Sequence, residues 1–228
     1  MDHSNFAGIG KVLAAEGLDG VDALLLDLGA SSMQIDNPSR GFSFKHDGPL
    51  DMRMDRSRGV TAGEWLKSVD EGELAQALSH WGDEPVAARI AAAIKEAQAR
   101  GQGPERSWDL VRIVLRAKGL GPKARRMSPF DLHPAARAFQ ALRMAVNREE
   151  ESLKQLLRIL PHVLRLGGRA AILTFHSGED RWVESALSEG LREGLYSEAP
   201  SEAVRPSPRE VRLNPRSRSA KLRWAVRG

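Results

Sequence analysis

The chain has 228 residues, of which 41% are hydrophobic and 28% are charged, the balance of a soluble globular protein. It contains no cysteine, which excludes disulfide bonds and thiolate metal sites. No apolar run is long enough to cross a membrane, and the N-terminal residues lack the pattern of a signal peptide, so we expect a cytoplasmic protein without a membrane partner. The net charge of +4 permits a nucleic-acid partner without requiring one.

The first predicted elements are a helix and a strand. Residues 5–18 carry apolar side chains at helical spacing, and Gly17 suits a C-terminal cap. The segment VDALLLDLG then forms a continuous apolar run, which is typical of a parallel strand buried on both faces. The run turns polar at Asp27, and ligand sites in open α/β sheets form at such carboxyl ends of strands.

The loop after this strand has the composition of a functional loop, because it carries two phenylalanines, a histidine and fixed turns at glycine and proline. Its acids and histidine would be the ligands of a metal site: His46, Asp47, Asp51 and Asp55. Their spacing does not match a calcium loop, and Arg40 and Arg53 are interleaved with them. Salt bridges within the loop are therefore the favoured interpretation, and we expect no metal.

A run of amphipathic helices follows. Capping-box patterns occur at Thr61 with Glu64 and at Ser68 with Glu71, and the second predicts a helix that ends near Gly82. Further helices are predicted from Pro85 to Gly101 and from Ser107 to Gly119. We interpret residues 40–131 as a signature loop and helical insert, between one part of an α/β domain at residues 1–39 and its remainder at residues 132–228.

The α/β pattern resumes in that last part. Pro134 begins a helix, and a second helical run ends at Gly167. The apolar strand RAAILTFHS turns polar at His176, a helix follows over residues 179–195, and SAKLRWAVR alternates like a final strand. Polar side chains are thus expected along one sheet edge: Asp27, Ser31, Ser32, His176, Ser177 and Asp180.

These residues and the basic clusters leave two classes of function open. A serine hydrolase is disfavoured because no Gly-x-Ser-x-Gly elbow is present, and the polar residues could simply cap helices. Basic residues cluster at 123–126 and 205–227, which suits a polyanionic backbone or a solvated face. An enzyme acting on a charged substrate and a nucleic-acid-binding module both remain.

Four motifs make the interpretation more specific. DLGASSMQIDNPSRGFSFKHDGPLDMRMD, HPAARAFQALRMAVN, GGRAAILTFHSGEDR and NPRSRSAKLR resemble, in this order, the signatures of the bacterial 16S rRNA cytosine-N4 methyltransferases, the RsmH/MraW family. The resemblance covers nearly the whole chain. It implies transfer of a methyl group from S-adenosylmethionine to a cytidine in the decoding centre of the small ribosomal subunit. The implied fold is a Rossmann-like methyltransferase sheet interrupted by a helical domain.

The resemblance also assigns site residues. Phe6, Asp27 and Gln34 match positions that contact the cofactor, and Asp27 is the first candidate for orienting the cytosine amine. His46, Asp51 and Arg53 are weaker catalytic candidates that would shape the base pocket, which must admit a base that has left its stack. Basic residues are expected to contact the rRNA: Arg40, Lys45, Arg125, Arg126, Arg216, Arg218 and Lys221.

The chain departs from the family pattern at its start. The resemblance begins near the family's fourth strand, so we expect the first three strands, with the glycine-rich cofactor loop, to be missing and the sheet to be incomplete. LLLDLG would then be an exposed edge strand, poorly stable or prone to self-association, and cofactor binding would be weak. A truncated enzyme, a partner chain that supplies the first half, and an inactive paralogue that only binds rRNA remain open.

Overall fold

The computed structural model describes residues 5–121 and 133–228. Two compact units are present, and we describe each by itself. The sheet unit comprises Met1–Gly29 together with Glu149–Gly228, and the helical unit comprises Ala30–Arg148. The chain therefore leaves the sheet unit after its first strand and returns to it about 120 residues later.

The sheet unit contains a four-stranded mixed sheet in the order β1-β2-β4-β3. Its strands are β1 (Val21–Asp27), β2 (Leu164–Thr174), β3 (Tyr196–Glu198) and β4 (Lys221–Arg227). β1 and β2 are parallel, with Asp27 opposite Leu173, whereas β4 runs antiparallel to both of its neighbours. The predicted α/β class is confirmed, and the parallel pair brings two strand ends to one edge.

Helices cover one face of this sheet. They are α1 (Ile9–Ala15, after a 3-10 turn at Phe6–Gly8), α8 (Glu149–Val163) and α9 (Ser177–Arg192). The short α10 (Pro208–Leu213) buries none of its residues. Leucines of α8 pack against Ala170 and Ile172 of β2, and burial of this apolar surface stabilises the unit. Gly17 ends α1 as predicted, because its φ of +66° lets the Leu18 amide donate back to the Leu13 carbonyl at 2.9 Å.

The helical unit has its own apolar core. Its helices are α2 (Ser32–Asp36), α3 (Ala62–Ser68), α4 (Glu71–His80), α5 (Ala87–Ala99), α6 (Ser107–Ala117) and α7 (Ala136–Asn147). Side chains from α3 to α7 form one buried cluster, in which Leu66, Ile90 and Leu142 are fully buried. The domain prediction placed α7 after the insert, whereas its side chains pack in this core.

The helix starts test the capping predictions. The box at Thr61 and Glu64 is confirmed, since each side chain accepts from the other residue's backbone amide. The box at Ser68 is wrong, because Asp70 caps α4 and accepts from the Glu73 amide at 2.8 Å. Ser107 does not cap α6 either, because it is the first helical residue and is fully buried.

Strand β1 corrects a further expectation. Its alternation leaves Leu26 buried while Leu25 is 70% exposed, so the strand is covered on one face rather than on both. Among the described residues β1 pairs with β2 alone, which puts it at the edge of this sheet. The sequence reading missed both β3 and α10, which are short. No helix among the described residues is long and apolar enough to span a membrane.

The close approach of α9 to β3 generates a stability prediction. A Cβ added at Gly190 would lie 2.5 Å from a ring carbon of buried Tyr196, so we expect Gly190→Ala to destabilise the protein by about 2 kcal/mol through overpacking. Gly10 is the matched helical control, because a Cβ there meets nothing within 4 Å. Gly10→Ala should stabilise by up to about 1 kcal/mol. Urea denaturation measures both, and equal effects would contradict the packing argument.

Candidate functional site

The carboxyl ends of β1 and β2 meet at one edge of the sheet unit. Asp27 lies opposite Leu173, and the Leu28 amide extends the ladder by donating to the Leu173 carbonyl at 3.2 Å. Helix α9 begins directly after β2, so His176 and Asp180 belong to the same edge. Of the six side chains expected along this edge, Asp27, His176, Ser177 and Asp180 belong to the sheet unit, whereas Ser31 and Ser32 belong to the helical unit. Asp27 is exposed and has no ion pair among the described residues.

Asp180 is the buried anion of this edge. Its carboxylate accepts hydrogen bonds from Arg223 Nε at 2.7 Å, Arg223 Nη2 at 3.1 Å and Lys221 Nζ at 2.5 Å. Burial opposes ionisation, but the bonds from Arg223 and Lys221 outweigh it and hold the pKa of Asp180 below its ordinary value. The ion pair thus ties the first turn of α9 to β4.

His176 caps α9 at the same edge. Its Nδ1 accepts from the Glu179 amide at 3.4 Å, and its Nε2 lies 3.1 Å from Glu179 Oε1. Nε2 is buried, and its short contact with Glu179 does not have the geometry of a hydrogen bond. The contact is an ion pair only in the protonated form of the ring. Glu179 Oε2 accepts from the Phe175 amide at 3.1 Å, which fixes the turn from strand to helix.

In the helical unit, Asp51 organises the signature loop, which comprises residues 41–61 between the 3-10 turn at Pro38–Arg40 and α3. Its buried carboxylate accepts from Arg53 Nε at 2.7 Å and from the Arg53 amide at 3.2 Å, and it lies 3.2 Å from Arg56 Nε. Burial raises the pKa of Asp51, but the hydrogen bonds from Arg53 outweigh this, so the net pKa is lowered. The predicted salt bridging within the loop is confirmed here and between Asp55 and Arg58, whereas Asp47 pairs outside the loop with Arg106, 2.7 Å away at the start of α6.

Side chains distant in sequence fix the same loop. Arg40 Nη2 donates to the carbonyls of Arg53 and Met54 at 2.7 and 2.9 Å. Asn147, at the end of α7, accepts from the Met54 amide at 2.7 Å and donates to the Met52 carbonyl at 2.8 Å. Met52 is fully buried and has a φ of +61°, which non-glycine residues rarely adopt. These bonds hold the strained turn.

Two glycines show how tightly the loop is folded. A Cβ at Gly41, whose φ is +70°, would lie 2.3 Å from the Pro49 carbonyl oxygen. A Cβ at Gly48 would lie 1.9 Å from the Pro38 carbonyl oxygen. Only glycine permits both approaches, so this loop is a built structure rather than a solvated linker.

The remaining cofactor and pocket candidates are distributed over both units. Phe6 is half-buried against the core of the sheet unit. Gln34 belongs to the helical unit, where its Oε1 accepts from the Ser31 amide at 2.9 Å in a capping box. Lys45 and His46 are exposed on the signature loop, and neighbouring Phe44 stacks on His133 with ring centroids 4.5 Å apart.

The predicted RNA-contacting residues have different surroundings. Arg216 and Arg218 are exposed on a 3-10 helix at Pro215–Ser219, and both make further interactions. Lys221 is engaged by Asp180, and Arg40 by the loop carbonyls. Arg125 and Arg126 lie outside the described residues. Within the described ranges, no three His, Asp or Glu side chains group closely enough to hold a metal ion.

The sequence reading missed Asn147 and Arg223 as organising residues. Asn147 ends the predicted helix of HPAARAFQALRMAVN, where a polar side chain reads as an ordinary helix end. Arg223 alternates with apolar residues in the last strand, and an inward-facing arginine there was a signal that a buried acid must pair with it.

The fold is that of an α/β protein interrupted by a helical unit, and it is consistent with a methyltransferase. The family comparison is specific: the sequence model of the MraW methylase family matches residues 1–227, so the chain belongs to this family.

Curated relatives agree with this assignment. The chain is 44% identical over 223 residues to ribosomal RNA small subunit methyltransferase H 1 of Lachnoclostridium phytofermentans, covering 98% of this chain and 60% of that protein. It is 44% identical over 237 residues to ribosomal RNA small subunit methyltransferase H of Citrifermentans bemidjiense, covering 97% and 74%. The chain therefore spans between about three fifths and three quarters of the length of these relatives.

The Asp180 ion pair predicts a pH-dependent stability. Asp180→Asn removes the buried counter-charge of Arg223 and leaves only the half-exposed Glu184 to pair with it, so it should cost about 3 kcal/mol at pH 7. Because the folded pKa of Asp180 is lowered, its stabilisation is present above the unfolded value of about 4 and is lost as pH falls through the folded value. Urea denaturation should therefore show a smaller difference in the free energy of unfolding between wild type and variant at pH 3 than at pH 7.

Glu184→Gln is the matched control, because Glu184 contacts the same arginine but its side chain is 45% exposed. Its cost should stay within about 1 kcal/mol at both pH values. A gap for Asp180→Asn that is independent of pH would contradict the ion-pair account.

Proposed function

We propose that the protein methylates the N4 amine of a cytidine in the decoding centre of 16S rRNA, with S-adenosylmethionine as methyl donor. The observation that carries the proposal is the match of the MraW methylase family along residues 1–227, together with relatives named for rRNA small subunit methylation. The exposed carboxylate of Asp27 at the end of β1 supports the proposal, because such a reaction needs an acceptor for the amine. A cytoplasmic location follows from the proposed substrate.

The residues assigned to the cofactor suit it chemically. Asp27 is an exposed carboxylate that can accept hydrogen bonds, and Phe6 is an aromatic ring that can pack beside an adenine. Gln34 uses its Oε1 in the capping box and keeps its amide protons for a ligand. Bound S-adenosylmethionine would supply an electrophilic methyl group on a positively charged sulfur.

The amine requires help from the protein, because its lone pair is delocalised into the cytosine ring. We assign Asp27 the task of accepting a hydrogen bond from the amine, which orients the nitrogen lone pair. Its carboxylate also stabilises the positive charge that develops on the nitrogen as the N–C bond forms. The bond between the methyl group and sulfur breaks as the N–C bond forms, and one proton of the amine is released to solvent in the same reaction. His46 and Arg53 on the signature loop would shape the pocket for the unstacked base, with Arg53 held by Asp51.

The rRNA partner would be held by basic residues on both units. We assign this role to Arg40, Lys45, Arg125, Arg126, Arg216, Arg218 and Lys221, which would neutralise phosphates. Contacts of this kind position the substrate without reading its sequence. Selection of one cytidine would then depend on the pocket for the unstacked base.

The proposal predicts the outcome of a methylation assay. Purified protein should transfer labelled methyl from saturating S-adenosylmethionine to unmethylated small ribosomal subunits, at one cytidine N4. Asp27→Asn should lower kcat/KM by about 100-fold or more, because the carboxylate can no longer take charge from the amine. Asp22→Asn, at the other end of β1, is the control and should leave the rate unchanged.

The assay also separates the alternative function. Salt-sensitive binding of small subunits by the wild type without methyl transfer would contradict the enzymatic proposal and support an rRNA-binding paralogue. Equal losses in Asp27→Asn and Asp22→Asn would remove Asp27 from its proposed role.

We further propose that the chain self-associates through the β1 edge. Leu25, Ala171 and Trp224 occupy paired positions on β1, β2 and β4 and so share the less covered face. Leu25 is largely exposed beside the unpaired side of β1. A strand edge with an exposed leucine favours pairing with another strand.

Light scattering across a concentration series tests this self-association. The apparent mass of the wild type should rise with concentration, whereas Leu25→Lys should reduce the rise by placing a charge at the edge. Leu166→Lys is the matched control, because Leu166 is an equally exposed leucine of β2 away from the β1 edge. A wild type that stays monomeric throughout, or equal effects of both variants, would contradict the proposal.

A further inference from the structure

Three arginines lie close together in sequence on the last part of the signature loop, and two of them have no role in the proposed reaction. The arginine loop, residues 53–59, has the sequence RMDRSRG and contains Arg53, Arg56 and Arg58. Its acid is Asp55, and Asp51 lies two residues before Arg53. Whether the surface is positive or neutral therefore depends on which of these charges face solvent.

The arginines are outermost in both of the exposed ion pairs. The Arg56 side chain is 51% exposed and that of its partner Asp51 is 5% exposed. The Arg58 side chain is 72% exposed and that of its partner Asp55 is 27% exposed. The contacts recorded for the two pairs involve Nε, at 3.2 and 2.8 Å. The acids hold the guanidinium groups, and at least half of each arginine side chain remains exposed.

The loop is held at its first end by two side chains distant in sequence, those of Asn147 and Arg40, and by the neighbouring Asp51. Asn147 bonds to the backbone on either side of Arg53, at Met52 and Met54. Arg40 donates to the Arg53 carbonyl, and Asp51 accepts from the Arg53 amide. Every backbone polar group next to the first arginine is thereby engaged.

The second end is fixed by the start of α3. The capping box of Thr61 and Glu64 follows the loop directly, and the Ala62 amide donates to the Asp51 carbonyl at 2.7 Å. Within the loop, Asp55 Oδ1 accepts from the Ser57 amide and hydroxyl at 3.0 and 2.6 Å. The ordering of this segment is complete in the free protein, so a ligand of the arginines need not supply it.

We propose that the arginine loop is a preorganised surface for the phosphodiester backbone of the rRNA substrate, with Arg56 and Arg58 as its phosphate-binding side chains and Asn147 as the positioning residue of the loop. The guanidinium fork matches phosphate oxygens and can bind two of them together. Two such contacts, presented on a fixed backbone, give affinity and register without reading a base. This inference rests on the proposed function, since it names a contact with the same substrate.

Binding measurements over a salt series test the surface. The wild type and Arg56→Gln/Arg58→Gln are compared on small ribosomal subunits by filter binding. Affinity should fall about tenfold or more, and the slope of log K against log salt should flatten by about 2, because two phosphate contacts are lost. Arg165→Gln/Arg192→Gln is the matched control, since it removes two exposed arginines that are also paired with acids, in the sheet unit. It should bind like the wild type.

Asn147→Ala tests the positioning of the loop in the same assay. It should weaken binding in the wild-type background but have little added effect in the Arg56→Gln/Arg58→Gln background, because both changes act through the same contacts. A purely structural role of Asn147 would instead lower the melting temperature and add its effect in both backgrounds. That additive result would remove Asn147 from the inference.

The outcomes distinguish this inference from the proposed function. Methyl transfer that is retained while the arginine variant and its control bind equally would overturn the arginine surface alone. Binding that depends on Arg56 and Arg58 without any methyl transfer would overturn the enzymatic proposal and support the surface. A wild type that binds neither small subunits nor protein-free 16S rRNA would overturn both.

Discussion

The buried carboxylate of Asp51 is the constraint on which the signature loop depends. An anion taken out of water must be matched by donors, and three arginine or amide groups of the same loop converge on it. That requirement bends the chain so that Met52 takes up a left-handed conformation inside the core. Asn147 and Arg40 then satisfy the backbone groups that the bend exposes.

The sheet unit uses the same device at Asp180. A buried carboxylate lies where a strand passes into a helix, and its arginine comes from a strand more than forty residues later. The Asp180 pair joins α9 to β4, whereas the pairs of Asp51 with Arg53 and Arg56 hold a turn within one loop. A buried ion pair of this kind fixes the local geometry more than it adds to the free energy of unfolding. The polar edge at β1 and β2 is thereby held in one arrangement.

The sequence predicted features that depend on near neighbours. The helix cap at Gly17, the capping box at Thr61 and the meeting of two polar strand ends each follow from residues a few positions apart or from a general rule of parallel sheets. Asp70 replaced Ser68 as a cap because two capping residues lay within one turn of each other, and spacing cannot choose between them.

Features that depend on distant neighbours were not predictable in this way. The bond between Asn147 and the Met54 amide joins residues 93 positions apart, and neither residue type predicts the other as its partner. The single-face burial of β1 likewise depends on what lies beside it, because an apolar run suits one covered face or two. The family resemblance supplied candidate site residues such as Asp51 and Arg53, but it did not supply the distant side chains that hold them.

The two buried carboxylates are poor candidates for the group that stabilises positive charge on the amine. Asp51 and Asp180 have lowered pKa values because arginines already saturate them, and a carboxylate in that state is a weak base. Their contribution is to hold Arg53 and the start of α9 in position. Asp27 differs from both, since it is exposed at a strand end and has no ion pair among the described residues. The chemistry of the proposed reaction therefore favours the acid that the structure leaves unengaged.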